Sequence, residues 1–208
     1  PEHKRVIVEA PYHWKHQQPR PHRVWFSETT MLVAFLLKPW CHTSRMQVLS
    51  ISRMTRDVER YLSDVFDRNI DLHGRVSQMS SAIARGIAAN RTMLRWLQPQ
   101  TILLVVAYGL ETLTTAARSL SIPTVEVQHG VVTPEHLGYA FAESTTKRSF
   151  PDYVLLFGSY WKRTVPWPVA NNRLVEIGYS FFSRITSSLS DEPKKSQVVF
   201  ISQGTIGP

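Results

Sequence analysis

The chain has 208 residues, of which 43% are hydrophobic and 19% charged, as in globular rather than disordered proteins. Its single cysteine, Cys41, excludes a disulfide framework within the chain, argues against a cysteine-based zinc site and suits a reducing cytoplasm. The net charge of +8 suits phosphates, nucleic acids or anionic membranes, but equally an ordinary basic surface. Because the basic residues are scattered, without an RNP-type or zinc-finger motif, the sequence argues against a dedicated nucleic-acid module.

The first half of the chain predicts short strands and long helices. A polar loop near the start contains His13, His16 and His22, whose irregular spacing indicates solvated residues rather than a metal site. The longest apolar run, residues 31–37, is too short to span a bilayer. In chain order the predicted elements are strands over residues 5–9 and 24–26, a helix over 28–37, a strand over 46–51, and helices within 55–97 divided near Gly74 and Gly86.

The second half predicts alternating strands and helices. The uninterrupted apolar run at residues 101–107 is typical of a strand buried on both faces of a parallel sheet. The elements are strands over residues 101–107, 124–127, 151–157 and 173–177, and helices over 111–120 and 159–165, the last capped by Ser159. We therefore expect an α/β, Rossmann-like, doubly wound and mostly parallel sheet. Residues 1–183 would form this domain, 184–196 a linker, and 197–208 the first strand and turn of a truncated second domain.

Ligands of open parallel sheets bind where the strands end, and the most informative such turn is Gln128-His129-Gly130. His129 would face the cleft and accept a proton near neutral pH, and Gly130 would let the backbone turn sharply beside a ligand. Glu126 either orients His129 or points to the other face of the sheet. A histidine at a strand end is more often a hydrogen-bonded loop residue than a catalyst, but the neighbouring glutamine and glycine favour function here.

Further candidate residues follow the same turn and two others. His136 and Tyr139 lie downstream of His129 as candidate substrate contacts, with loop stabilisation and packing as the alternatives. Gly109 and Glu111 are candidate acceptor contacts, although they could instead close a strand and cap a helix. A third turn, Gln203-Gly204-Thr205, could hold a donor phosphate through backbone N–H groups, but it matches neither the Walker A nor the dinucleotide motif.

Several of these segments resemble the GT-B glycosyltransferase superfamily, and especially its bacterial surface-polysaccharide branch. The histidine-glycine turn is also similar to one in CDP-glycerol glycerophosphotransferases. The segments that carry the resemblance are Ile122-Pro123-Thr124-Val125-Glu126-Val127-Gln128-His129-Gly130, His136-x-Gly138-Tyr139, Phe150-Pro151-Asp152-Tyr153-Val154-Leu155-Leu156-Phe157-Gly158-x-Tyr160-Trp161, Val175-Glu176-Ile177-Gly178 and residues 198–207.

The resemblance implies two Rossmann-like domains, the first binding the acceptor and the second the nucleotide-sugar donor. In this scheme His129 is the catalytic base and Gln203, Gly204 and Thr205 border the donor phosphates, with no cofactor or obligatory metal. The acceptor would be a glycan or a lipid-linked glycan in polysaccharide biosynthesis, and the basic protein would sit in the cytoplasm, at the anionic inner face of the membrane. Since nearly all of a donor domain lies outside this sequence, we expect the chain alone to be inactive.

Three alternatives stay open. The chain could transfer glycerol phosphate from CDP-glycerol, or it could belong to a nucleotide-sugar epimerase of the same architecture. It could also be a non-catalytic domain that binds a glycan or an anionic partner.

Overall fold

A computed structural model describes residues 6–10, 15–16, 23–37, 45–142 and 145–189. Within these residues the protein is α/β, with a four-stranded, all-parallel sheet flanked by helices. The predicted donor-phosphate residues Gln203, Gly204 and Thr205 lie outside the described residues, as do the predicted strand at 197–202, the linker beyond residue 189, His13 and His22.

In the described part of the first half, the chain forms a small parallel strand pair and three helices. The elements are β1 (Val6–Glu9), β2 (Arg23–Phe26), α1 (Ser27–Leu36), α2 (Arg45–Phe66) and α3 (Leu72–Leu97). The predicted strands over residues 5–9 and 24–26 and the helix over 28–37 are confirmed.

The predicted strand over residues 46–51 is wrong, because these residues form the start of α2. No glycine or proline interrupts the chain between Arg45 and Phe66, so the short apolar run continues into the helical spacing that follows it. A break after α2 is confirmed, but at neither predicted glycine. Asp71 begins α3 by accepting a hydrogen bond from the Gly74 N–H at 2.8 Å.

Gly86 lies inside α3 and serves helix packing. A Cβ atom there would lie 3.0 Å from the Cγ2 atom of Thr112 in the following helix, so the missing side chain allows the two helices to approach closely. The prediction that Gly86 divides the helix is therefore wrong.

The second half forms the parallel sheet. Its elements are β3 (Ile102–Leu104), α4 (Glu111–Ser119), β4 (Thr124–Val127), β5 (Tyr153–Leu156), α5 (Ser159–Thr164), β6 (Leu174–Glu176) and α6 (Ser180–Leu189). The strand order is β3-β4-β5-β6, and among these described strands it never reverses, so the reversal of a doubly wound sheet is not seen there.

Three local predictions differ from this arrangement. The strand β3 is shorter than predicted, because the backbone leaves the sheet after Leu104 and turns before α4. Ser159 is not a cap: Gly158 occupies the N-cap position and no side-chain cap bond forms. Residues 184–189, the first part of the predicted linker, belong to α6.

Two clusters of buried side chains hold the sheet between its neighbours. The first joins α3, β3 and α4 through Met93, Leu94, Leu104, Ala107, Leu113, Ala116 and Ala117. The second surrounds β5 and contains Val132, Tyr139, Phe150, Val154, Leu156, Val165 and Leu174. Because three members of the second cluster come from the connection between β4 and β5, that connection is packed onto the sheet and fixes the residues that follow His129.

Candidate functional site

Four rings gather at the edge of the sheet where β3 and β4 end. We call Tyr108, His129, His136 and Tyr139 the ring cluster. Tyr108 lies 6.5 Å from His129 and 5.6 Å from His136 between ring centroids, and Tyr139 lies 6.2 Å and 4.8 Å from the same two histidines. The structure therefore brings together His129, His136 and Tyr139, three residues predicted separately from the sequence, and adds Tyr108.

A buried carboxyl group supports the ring cluster from below. Glu126 is 1% exposed, and the Tyr139 hydroxyl donates a hydrogen bond to its Oε1 atom. Its Oε2 atom is also buried and has no hydrogen-bond partner among the described residues. Desolvation by burial raises the pKa of Glu126 to about 7, against the opposing effects of the Tyr139 hydroxyl and the Ala107 backbone. Burial and the nearby carboxylate also raise the pKa of Tyr139, which stays a neutral donor.

This pairing decides the role that the sequence left open for Glu126. Its hydrogen-bonded partner is Tyr139 and not His129, so Glu126 positions the ring of Tyr139 within the cluster. His129 is exposed and makes ring contacts, but no hydrogen bond to its imidazole occurs in the described part of the chain. Its two ring nitrogens are therefore open to an incoming ligand.

His136 is held in one tautomer by its own loop. The Gly138 N–H donates to its Nδ1 atom at 3.1 Å, so the proton of the neutral imidazole lies on Nε2. Neutral His136 is thus a hydrogen-bond donor through Nε2, a role complementary to that of a base. Gly138 itself must be glycine, because a Cβ atom there would lie 2.7 Å from the Cδ1 atom of Tyr108.

Gln128 is buried, and its side chain closes the turn after β4. Its Nε2 atom donates to the Gly130 carbonyl, and its Oε1 atom accepts from the Phe157 N–H, both at 2.8 Å. We therefore assign Gln128 to holding the ends of β4 and β5 together, below the surface a ligand would touch.

Gly130 does not have the predicted backbone role. Its φ angle is not in the left-handed region, and a Cβ atom there would meet nothing within 4 Å. The backbone therefore does not need glycine at this position. The empty space beside Gly130 is next to His129, where it leaves room for a ligand.

The turn after β3 combines a glycine at positive φ with an ion pair. Gly109 has a φ of 86°, a conformation that side-chain-bearing residues rarely adopt, and it directly follows Tyr108. Glu111 lies in the first turn of α4 and pairs with Lys147 at 3.3 Å between Oε1 and Nζ. The pair links α4 to the connection between β4 and β5. Glu111 thus has a structural role in the described residues, and its predicted contact with the acceptor stays a prediction.

Tyr108 and Lys147 were missed from the sequence. Tyr108 is 43% exposed and lies close to three other rings. Its position could have been found from the sequence, because it is an aromatic residue directly before Gly109, at the end of a predicted strand. Lys147 lies 36 residues from its partner in the chain, and no local pattern marks it.

The described residues contain neither a candidate metal site nor a candidate membrane span. In the ranges that the structure describes, no group of three or more His, Cys, Asp or Glu side chains is arranged to hold a metal ion. None of the helices in the described part of the chain combines the length and the apolar character needed to cross a bilayer. No family model, curated protein or solved structure matches this chain.

Proposed function

We propose that this chain is the acceptor-side part of a nucleotide-sugar glycosyltransferase, and that the ring cluster binds the acceptor. The observation that carries the proposal is the exposed imidazole of His129, which stands among three further rings at the carboxyl end of a parallel strand. Open parallel sheets bind ligands at this edge, and sugars pack well against aromatic rings with polar groups beside them.

In the proposed reaction His129 takes the proton from an acceptor hydroxyl group. The hydroxyl oxygen attacks the anomeric carbon of the donor sugar while the bond from that carbon to the nucleotide diphosphate breaks, and the diphosphate leaves. The Nε2–H of His136 donates a hydrogen bond to the acceptor, and the exposed face of Tyr108 supports the sugar ring. Glu126 and Tyr139 hold the floor of this site in place.

The donor side of the proposal rests on residues beyond the described ones. Gln203, Gly204 and Thr205 border the donor phosphates, a second Rossmann-like domain completes a GT-B arrangement, and no cofactor or obligatory metal takes part. The acceptor is a glycan or a lipid-linked glycan, and the enzyme works in the cytoplasm at the anionic inner face of the membrane. These features come from the sequence resemblance, and the net charge of +8 supports the membrane location.

The test replaces His129 with alanine in the full-length enzyme and measures sugar transfer. Loss of a general base lowers kcat by roughly 10²–10⁴-fold. The matched control is Glu135→Ala, an exposed position in the same connection, which should keep wild-type activity. Activity of His129→Ala within a few-fold of the wild type would overturn the catalytic assignment.

One observation favours a second candidate, a non-catalytic glycan-binding domain. Catalytic histidines are commonly oriented by a carboxylate, and in this structure the nearby carboxylate of Glu126 binds Tyr139 instead. A donor screen separates the candidates. Transfer of the sugar from a nucleotide sugar to an acceptor supports the transferase, conversion of the nucleotide sugar without transfer supports the epimerase, and transfer from CDP-glycerol supports the glycerophosphotransferase. Glycan binding without turnover of any donor, lost in Tyr108→Ala, would establish the binding domain.

A further inference from the structure

A second, separate feature lies between β2, α1 and α3. It is a partly open cavity of about 260 Å³, lined by Trp25, Thr30, Val33, Ala89, Thr92, Met93 and Trp96. The two tryptophan rings lie 5.1 Å apart between centroids. Since an apolar cavity of about 150 Å³ holds a benzene molecule, this one has room for roughly ten carbon atoms.

The polar groups of Trp25, Thr30 and Thr92 in the lining are already paired within the protein. The indole N–H of Trp25 donates to the Thr30 hydroxyl at 2.9 Å, and that hydroxyl donates to the sulfur of Met93 at 3.4 Å. The Thr92 hydroxyl donates to the Ala88 carbonyl at 3.1 Å. The cavity therefore presents hydrocarbon, sulfur and ring faces, which suit an alkyl chain and give a sugar or phosphate little to bind.

The surface beside the cavity is apolar as well. On α1, which contributes Thr30 and Val33 to the lining, the outward side chains of Met31, Leu32, Phe35 and Leu36 are 57–69% exposed. Exposed apolar side chains next to each other on a helix mark a surface that meets another apolar phase. Trp96, at the rim of the cavity, is 64% exposed, and tryptophan is favoured where membrane meets water.

The charge of α3, which forms one wall of the cavity, indicates what kind of head group accompanies the hydrocarbon chain of the ligand. α3 carries four arginines, Arg75, Arg85, Arg91 and Arg95, and no acidic residue over its whole length. Arg95 is exposed and directly precedes Trp96. These cations favour an anionic lipid, because each basic residue near an anionic membrane surface strengthens binding.

We infer that α1 and the cavity beside it form a docking site for an anionic membrane lipid, with one hydrocarbon chain in the cavity that Trp25 and Trp96 line. This inference deepens the membrane location proposed above. It is tested by binding alone, so its outcome is independent of whether His129 takes part in transfer.

The first experiment uses the full-length protein and sedimented vesicles of phosphatidylglycerol in phosphatidylcholine. Ala89→Leu fills the cavity from its wall, and it should weaken vesicle binding by roughly tenfold or more, since a chain that cannot enter loses the burial of several methylenes. Ala82→Leu, the same change at an exposed position of the same helix, should bind as the wild type does. Equal binding of the two variants, or no binding of the wild type, would overturn the site.

A second measurement does not depend on the folding of Ala89→Leu. Vesicles that contain phosphatidylglycerol with brominated acyl chains quench nearby tryptophans, and the chain has six of these. We expect most of the quenching to disappear in Trp25→Phe/Trp96→Phe, and Trp161→Phe/Trp167→Phe to keep it. Quenching that is unchanged in Trp25→Phe/Trp96→Phe would place the lipid chain elsewhere and refute the inference.

Discussion

Replacing Glu126 with glutamine tests the buried pair that holds the ring cluster. The change keeps the shape of the side chain and the oxygen that accepts the Tyr139 hydroxyl, while it removes the titrating proton. The pKa of Glu126 is raised from its ordinary value of 4.5 to about 7 in the folded protein, mainly by burial. The folded state therefore holds this proton more tightly than the unfolded state does.

The sign and size of the effect follow from linkage. Below about pH 4.5 the Glu126 carboxyl is protonated in both the folded and the unfolded state, so the contribution of this protonated group to the unfolding free energy is fully present. As the pH rises through about 7, that contribution is lost, because the folded protein must now ionise a buried group. A shift of about 2.5 pKa units corresponds to about 3 kcal/mol of unfolding free energy.

Urea unfolding of the wild type and of Glu126→Gln between about pH 5 and about pH 8 measures this difference. The variant should gain about 2.5 kcal/mol on the wild type between these two pH values, because the unfolded carboxyl is already partly ionised at about pH 5. The histidines are identical in both proteins, so their contributions cancel in the comparison. Glu135→Gln, at an exposed position, should follow the wild type. Parallel stability curves for the wild type and Glu126→Gln would refute the burial argument.

Two further substitutions test the contacts around the sheet. Gly138→Ala should lower the unfolding free energy by about 1–3 kcal/mol, measured by urea unfolding, and should shift the NMR signals of the Tyr108 ring. Gly130→Ala, with open space around it, should change the unfolding free energy by less than about 0.5 kcal/mol. Equal effects of the two substitutions would contradict the packing. Asp152→Asn should cost about 1–3 kcal/mol at neutral pH, because the Asp152 carboxylate accepts bonds from the Thr124 N–H and hydroxyl. Burial alone would raise the pKa of Asp152, but the hydrogen bonds from Thr124 and Arg118 outweigh it and lower the pKa. The stability advantage of the wild type over Asp152→Asn should therefore vanish as the pH falls below about 4 and through that lowered pKa. An advantage that persists in acid would contradict this assignment.

The alternation of the second half was predictable because each element has a strong local signal. The apolar runs at residues 101–107 and 124–127 are flanked by glycine or proline, and β4 has the predicted bounds. The carboxyl edge of the sheet, and with it the position of His129, follows from this alternation. The start of α2 was not predictable in the same way, since a short apolar run such as residues 46–51 fits a helix and a strand equally well.

The site was predicted in part: its location in the fold followed from the sequence, but the side-chain contacts within it did not. Gln128 reads as a ligand contact from its place at a strand end, but its amide is used by Gly130 and Phe157. Likewise, the link from Gly138 to Tyr108 depends on how the connection between β4 and β5 folds back. Contacts of this kind join residues far apart in the chain, so local spacing carries no trace of them.

The strand β4 shows which failures of sequence reasoning are informative. Alternation in Thr124–Val127 would place the two valines inward, yet Thr124 and Glu126 are the residues that are 1% exposed. Each polar side chain is compensated by a partner downstream, Thr124 by Asp152 and Glu126 by Tyr139. The Thr124 pair is fully bonded and sits at the amino end of the strand, where a structural role is sufficient to explain it. The Glu126 pair leaves one buried oxygen without a hydrogen-bond partner among the described residues, and its tyrosine belongs to the ring cluster. A buried oxygen without a partner costs free energy, and here this cost occurs at the carboxyl edge of the strand and not at its other end. Such a cost is expected where the residue is required by a functional site and not by the fold.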